Sequence, residues 1–274
     1  MLTRYEIVYQ GKNELWELWE AVFDDSGKFI SKLKVQIRPV DNLIFLMRRL
    51  IFLIALLFII KTSAAQDKQI FFTGIFPEIS LTKKISQRNK LNFKVENQEV
   101  IFDNRDTEFE NPQFTHYRTD LMLFFDRSLR PGVSVALGVF HRFQDNEDGN
   151  RIIQQLALLQ RLRNLRINHR FRTDQTFTRN DDIELRFRYR FSVEIPLEGD
   201  EVDPTEFYLV ISEEPIFSGK GGEFEIENRT AIALGKLFNS NEKLEWAVDY
   251  RTDGFIQEGF RTRLWAKISY YYNF

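Results

Sequence analysis

No cysteine occurs among the 274 residues. That absence excludes disulfides, a thiol nucleophile, a cysteine-based zinc site and a lipid-modified N-terminal cysteine. An excess of one charge is also lacking: 38 Lys and Arg stand against 40 Asp and Glu, a formal net charge of −2. Nothing in that balance calls for nucleic acid as a partner. There are only three histidines, His116, His141 and His169, and no pair has a zinc-binding spacing such as His-Glu-x-x-His. A Gly-x-Ser-x-Gly elbow and a phosphate loop are missing as well. The expectation is therefore no enzyme, no cofactor and no metal. Apolar runs long enough for a spanning helix, roughly 20 residues, are missing too: the run Leu50 to Ile60 is too short.

That short run has its own meaning. It follows Met47-Arg48-Arg49 and precedes Lys61-Thr62-Ser63-Ala64-Ala65-Gln66. A positive start, a short apolar stretch and small residues at the end are the parts of a secretory signal peptide. Residues 47–65 are read as that peptide, with cleavage between Ala65 and Gln66 because Ser63 and Ala65 are small. The alternative, a membrane anchor, would have to extend back across Arg48 and Arg49, which are costly at mid-bilayer. A signal peptide should begin a chain, so residues 1–46 form an N-terminal extension. They are either a mis-assigned start, with Met47 the true one, or a small cytoplasmic segment.

What is abundant is aromatic side chain: 27 Phe, 9 Tyr and 4 Trp, 15% of the chain, which suits β-structure or a lipid interface. From Gln69 onward, apolar and polar residues alternate in segments of about a dozen. In the clearest, Ile183, Leu185, Phe187, Tyr189, Phe191 and Val193 alternate with Glu184, Arg186, Arg188, Arg190, Ser192 and Glu194. Period two puts the two sets on opposite faces of a strand. Leu91–Glu96, Ile167–Arg172, Phe207–Glu214 and Leu244–Arg251 repeat the pattern.

Such alternation fits a soluble sheet or a membrane barrel, and three features favour the barrel. The segments exceed the five or six residues, roughly, of a soluble strand and reach the nine to eleven, roughly, of a bilayer-spanning one. Connections tend to alternate between tight turns, such as Arg163-Asn164, and longer polar stretches, such as Asp103 to Phe114 and Ser218 to Glu223. Finally, the last strand carries Leu264, Ala266, Ile268, Tyr270, Tyr272 and the terminal Phe274 on one face. Tyr270, Tyr272 and Phe274 resemble the C-terminal signal that outer-membrane barrels present to their assembly machinery. Eleven segments can be counted, but bacterial single-chain barrels have even numbers of strands. The expectation is an all-β antiparallel transmembrane barrel over 66–274 with ten to twelve strands, twelve favoured because Pro77 would split the first segment.

The polar face supplies the candidate site. Adjacent strands present Arg166, Arg170, Arg172 and Asp174, then Glu184, Arg186, Arg188, Arg190 and Glu194, then Glu206, Ser212 and Glu214, then Glu225, Glu227 and Arg229. Rows of cations should face rows of carboxylates. The expected pairing sets Arg170, Arg172, Arg186, Arg188 and Arg190 against Glu184, Glu194, Glu206 and Glu214. Such a network either fills and plugs a narrow lumen, or makes a porin-like selective pore or a site for an anionic ligand.

Several stretches resemble the domain-of-unknown-function 2490 family of predicted outer-membrane barrel proteins of Gram-negative bacteria. They are Phe76 to Lys84, the Gln155 to Phe177 hairpin with Arg161, Arg163 and Arg170, the Arg186-Phe187-Arg188-Tyr189-Arg190 strand, the Glu213-Glu214 pair and the aromatic last strand. The resemblance covers nearly all of Gln69 to Phe274. It implies a fold and an outer-membrane location, with lipid and the barrel-assembly machinery as partners, but no substrate and no catalytic residue. Two rival readings stand beside it: a periplasmic barrel or sandwich binding a lipid or other apolar ligand, and an outer-membrane enzyme acting on lipid. The enzyme would need a His near a Ser or carboxylate, and His141 and His169 are the residues to examine.

Overall fold

The computed structural model describes residues 70–104, 114–144, 148–256 and 259–274, together with the backbone of three short strands at 3–8, 16–23 and 29–37. The chain divides into two compact units, Met1–Gln66 and Asp67–Phe274. In the first unit β1 (Thr3–Val8), β2 (Trp16–Phe23) and β3 (Phe29–Ile37) form an antiparallel sheet in that order. The segment read as a signal peptide, 47–65, and the junction Ala65/Gln66 lie outside the described residues.

The second unit is a closed barrel of eleven strands. They are β4 (Ile70–Lys84), β5 (Asn89–Asp103), β6 (Thr115–Arg130), β7 (Val133–Phe143), β8 (Gly149–Leu162), β9 (Leu165–Thr178), β10 (Glu184–Pro196), β11 (Phe207–Lys220), β12 (Glu223–Asn239), β13 (Glu242–Asp253) and β14 (Arg261–Asn273). The shortest has 11 residues and the longest 17, enough to cross a bilayer at a tilt. Each sequential pair is antiparallel, and β14 closes against β4 in parallel, with Trp265 beside Gly74 and Tyr271 beside Ser80.

The count falls within the expected ten to twelve, at eleven rather than the favoured twelve. Every hairpin reverses the chain, so an odd count leaves the first and last strands pointing the same way, and only a parallel pair can close the ring. Pro77 does not split β4. The register to β5 is the same on either side of it, Ile75 opposite Glu99 and Glu78 opposite Glu96, with no pair at Phe76 and Pro77. A proline cannot donate to a ladder, and here the break is confined to those two positions.

Because the count is odd, β4 starts at one rim and β14 ends at the other. The C-terminal rim carries the connections 85–88, 131–132, 163–164, 197–206 and 240–241. The Ile70 rim carries 104–114, 144–148, 179–183, 221–222 and 254–260. The polar connection expected from Ser218 to Glu223 is shorter than the sequence suggests: β11 and β12 continue to a two-residue turn at Gly221 (φ +57°) and Gly222 (φ +86°). Two adjacent positive φ angles suit a tight hairpin that glycine adopts without strain.

Inside the barrel the side chains form two apolar clusters. One joins Met122, Phe124, Ala136, Phe140 and Ile153 on β6 to β8. The other, toward the Ile70 rim, joins Phe72, Phe76, Val100 and Trp265, with the Tyr117 ring tilted 36° to the Trp265 ring at 6.0 Å. Two inward glycines make room for aromatic rings across the ladder. Phe124 faces Gly138 and Tyr208 faces Gly235. A Cβ at these glycines would meet the rings at 2.4 and 2.2 Å, respectively.

Candidate functional site: the charged lumen

The alternation resolves into an apolar outside and, beside the two apolar clusters, a largely charged inside. Leu137, Val139, Leu185 and Val248 are each 57% exposed on the outer surface. Glu78, Asp120 and Arg251, each 2% exposed, and Asp174, 1% exposed, point inward. Buried charges are tolerated only when paired or hydrogen-bonded, and most of these are.

Glu78 on β4 receives Lys94 from β5 at 2.8 Å and Lys267 from β14 at 2.7 Å. Asp120 on β6 takes the Arg142 fork through two bonds of 2.7 Å, the bidentate geometry that gives the strongest such pairs. On β12 to β14, Arg229 donates to Glu227 at 2.8 Å, Arg251 to Asp249 at 2.7 Å, and Arg263 to Glu227 at 3.0 Å. Arg263 also bonds Asp253, which accepts from Arg261 at 2.7 Å.

The structure places Arg170, Arg172, Glu184, Arg186, Arg188, Arg190, Glu194 and Glu214 on the lumen-facing side of β9, β10 and β11. Glu214 joins Arg170 and Arg188, both at 2.9 Å, and Glu194 joins Arg166 at 3.1 Å. Glu184 lies 3.9 Å from Arg186. Glu206 is a correction. It lies before β11, in the connection 197–206, where its carboxylate accepts the Asp203 N–H at 2.9 Å. The backbone ladder still reaches Glu206, whose carbonyl accepts the Leu237 N–H at 3.0 Å, but its carboxylate serves the turn at Thr205 (φ +77°) and, among the described residues, pairs with none of the lumen arginines. The residue the expected network omits is Asp174, which takes Arg186 at 3.2 Å and Arg188 at 3.4 Å. Its parity with Arg170 and Arg172 was the signal. The charges on β5, β12 and β13 follow the alternation already read in Leu91–Glu96, Glu225 to Arg229 and Leu244–Arg251.

A cavity of about 290 Å³ occupies the middle of the lumen, lined by eleven Lys and Arg side chains and six carboxylates. A second space of about 590 Å³ lies toward the C-terminal rim, between Lys90, Asp126, Arg166, Glu194 and Lys243. Arg170, Arg190, Glu245 and Tyr271 line both, so the outer space is a vestibule to the inner one.

Among the described residues, none of the three histidines hydrogen-bonds a Ser. His169 Nδ1 meets the Tyr189 hydroxyl at 2.8 Å on the outer face. His141 Nδ1 meets the Asn150 amide oxygen at 2.8 Å, with Asp148 at 3.9 Å, and His116 pairs with Glu99 at 3.1 Å. Among the described residues, no group of three His, Asp or Glu could hold a metal ion. On the last strand, Tyr270 donates to Glu242 at 2.8 Å, Tyr272 and Phe274 pack edge to face at 4.8 Å, and Phe274 is exposed.

No curated protein and no solved structure matches the chain. One family model does, over residues 73–257, a span that opens within β4 and reaches past β13 and so takes in most of the charged lumen. On that match, this barrel belongs to the family described as protein of unknown function (DUF2490).

Proposed function

We propose that the chain is an outer-membrane β-barrel protein whose lumen is narrowed, at mid-height, by its own ion pairs. The observation that carries the reading is the inverted burial: large aliphatic and aromatic side chains cover the outside, and carboxylates and guanidinium groups fill the inside. In water such a surface would be an aggregation liability. In a bilayer it is the expected band of a transmembrane barrel around a polar interior. Export through the 47–65 signal peptide, cleavage at Ala65/Gln66 and recognition of Tyr270, Tyr272 and Phe274 by the assembly machinery complete this reading. The C-terminal rim, with its three two-residue turns, then faces the periplasm, since short turns are the periplasmic habit of such barrels.

The charged lumen argues against an apolar ligand inside, and the histidine surroundings give no support to a lipid-acting enzyme. The protein is read as non-enzymatic. Planar-bilayer recording of the refolded chain tests the proposal. The wild type should insert and conduct poorly, and replacing Arg186, Arg188 and Arg190 together with Ser should open it. High, unselective conductance in both proteins would remove the ion-pair constriction, and failure to insert would remove the membrane barrel.

A further inference from the structure

The carboxylates of the lumen do not neutralise every arginine. β9 and β10 set Arg170 directly opposite Arg190 and Arg172 directly opposite Arg188. Like charges facing each other across a ladder repel, so this block needs anions. Glu214 reaches Arg170 and Arg188, and Asp174 reaches Arg188 and Arg186. The other diagonal receives only neutral partners. Arg172 donates to the Gln155 amide oxygen at 2.7 Å, and Arg190 to the Ser212 hydroxyl at 3.3 Å. From the adjoining strand, Arg151 is 7% exposed, lies 4.3 Å over the Phe140 ring and leaves its Nε without a hydrogen-bond partner. Among the described residues, none of Arg151, Arg172 and Arg190 makes an ion pair, yet all three line the mid-lumen cavity of about 290 Å³.

We infer that this cavity is a binding site for a phosphate group, reached through the vestibule at the C-terminal rim. The inference rests on the charged-lumen reading and deepens it. Guanidinium forks match phosphate oxygens bidentately and carry their charge at any physiological pH. A doubly charged phosphate would supply the two charges that the Arg172–Arg190 diagonal lacks. The route is direct, because Arg190 and Arg170 line both the vestibule and the inner cavity. The phosphate comes either from a soluble phosphate or phosphate monoester, or from the headgroup of an anionic lipid drawn in at the rim.

The experiment is calorimetric titration of the full chain, folded in a zwitterionic detergent, at constant ionic strength set with chloride. Inorganic phosphate and short-chain dihexanoyl phosphatidic acid are the two probes. The wild type should bind one phosphate per chain saturably. The double variant R172Q/R190Q should bind at least tenfold more weakly, and R163Q, an exposed arginine paired with Asp200 outside the lumen, should match the wild type. Phosphate should also raise the unfolding temperature of the wild type and leave that of the double variant unmoved, since a ligand stabilises only the state that binds it. Heat-modifiable migration on gels verifies that each protein is folded, and a misfolded double variant is replaced by R172K/R190K, which keeps the charge but loses the fork and should still bind more weakly. Binding of both probes, or of phosphate alone, assigns the site to soluble phosphate chemistry, and binding of the lipid alone assigns it to a headgroup. Absence of saturable binding of either probe by folded wild type, or equal affinity in wild type and variant, overturns the site. A chain that binds phosphate but fails to enter bilayers would keep the site and sink the membrane reading, so the two failures are distinct.

Discussion

The outer face and the lumen of this barrel are made by the same strands, one residue apart, and they obey opposite rules. On β10, Phe187 is 44% exposed while the side chain of the next residue, Arg188, is 11% exposed. Phe187 packs on the Phe217 ring at 6.5 Å, whereas Arg188 bridges Asp174 and Glu214. A soluble sheet would bury the phenylalanine and solvate the arginine. The difference teaches that alternation fixes only which residues share a face. Closure of the sheet into a narrow ring decides which face is inside, and the solvent outside then decides which arrangement is stable.

The comparison can be broken hardest from within. Glu214→Gln leaves Arg170 and Arg188 without their shared carboxylate, and breaking a buried ion pair on one side costs about 3–5 kcal/mol. Denaturant titration of the refolded barrel should show that loss. An unchanged midpoint would mean that the lumen is wet enough for water to replace the carboxylate. From the outside, Phe187→Arg should cost about 2–4 kcal/mol if the residue lies near the bilayer midplane, while Arg188→Gln should be better tolerated for insertion into vesicles. Equal tolerance of the two changes would point to a sheet in water.

Two milder changes sharpen the contrast. Gly138→Ala places a methyl 2.4 Å from the Phe124 ring inside the lumen, and overpacking of this kind costs about 1–3 kcal/mol. A neutral result in the same titration would mean that the ring swings into the central cavity. Arg163→Gln removes an exposed pair 3.5 Å from Asp200. Surface pairs of this sort are worth about 0–1 kcal/mol, so its midpoint should barely move.

Much of this architecture is legible in the residue order. The eleven alternating segments are the eleven strands, and the facing of Leu185 to Arg190 follows from parity because the side-chain period of a strand is two. Register and closure are not legible in that way. The β14–β4 pair joins residues about 190 positions apart, such as Trp265 and Gly74, and no local signal encodes it. The habit of even strand numbers pointed to twelve instead. The ion-pair partners depend on register too, which is why Asp174 was seen as a lumen residue but not as the acceptor for Arg186 and Arg188. Glu206 shows the complementary limit: parity gives the side of a strand, but not that the turn beside the strand's first residue engages the carboxylate with its own backbone, at the Asp203 N–H.

If the chain is an outer-membrane protein, its apolar outer face lies in lipid. That placement is tested most directly by separating inner and outer membranes from cells expressing the full chain, washing them with alkaline carbonate, and following the protein on gels with and without boiling. A barrel seated in the outer membrane gives a band retained in the outer-membrane pellet that migrates faster unboiled than boiled. A protein released into the periplasmic or carbonate-soluble fraction would contradict that placement.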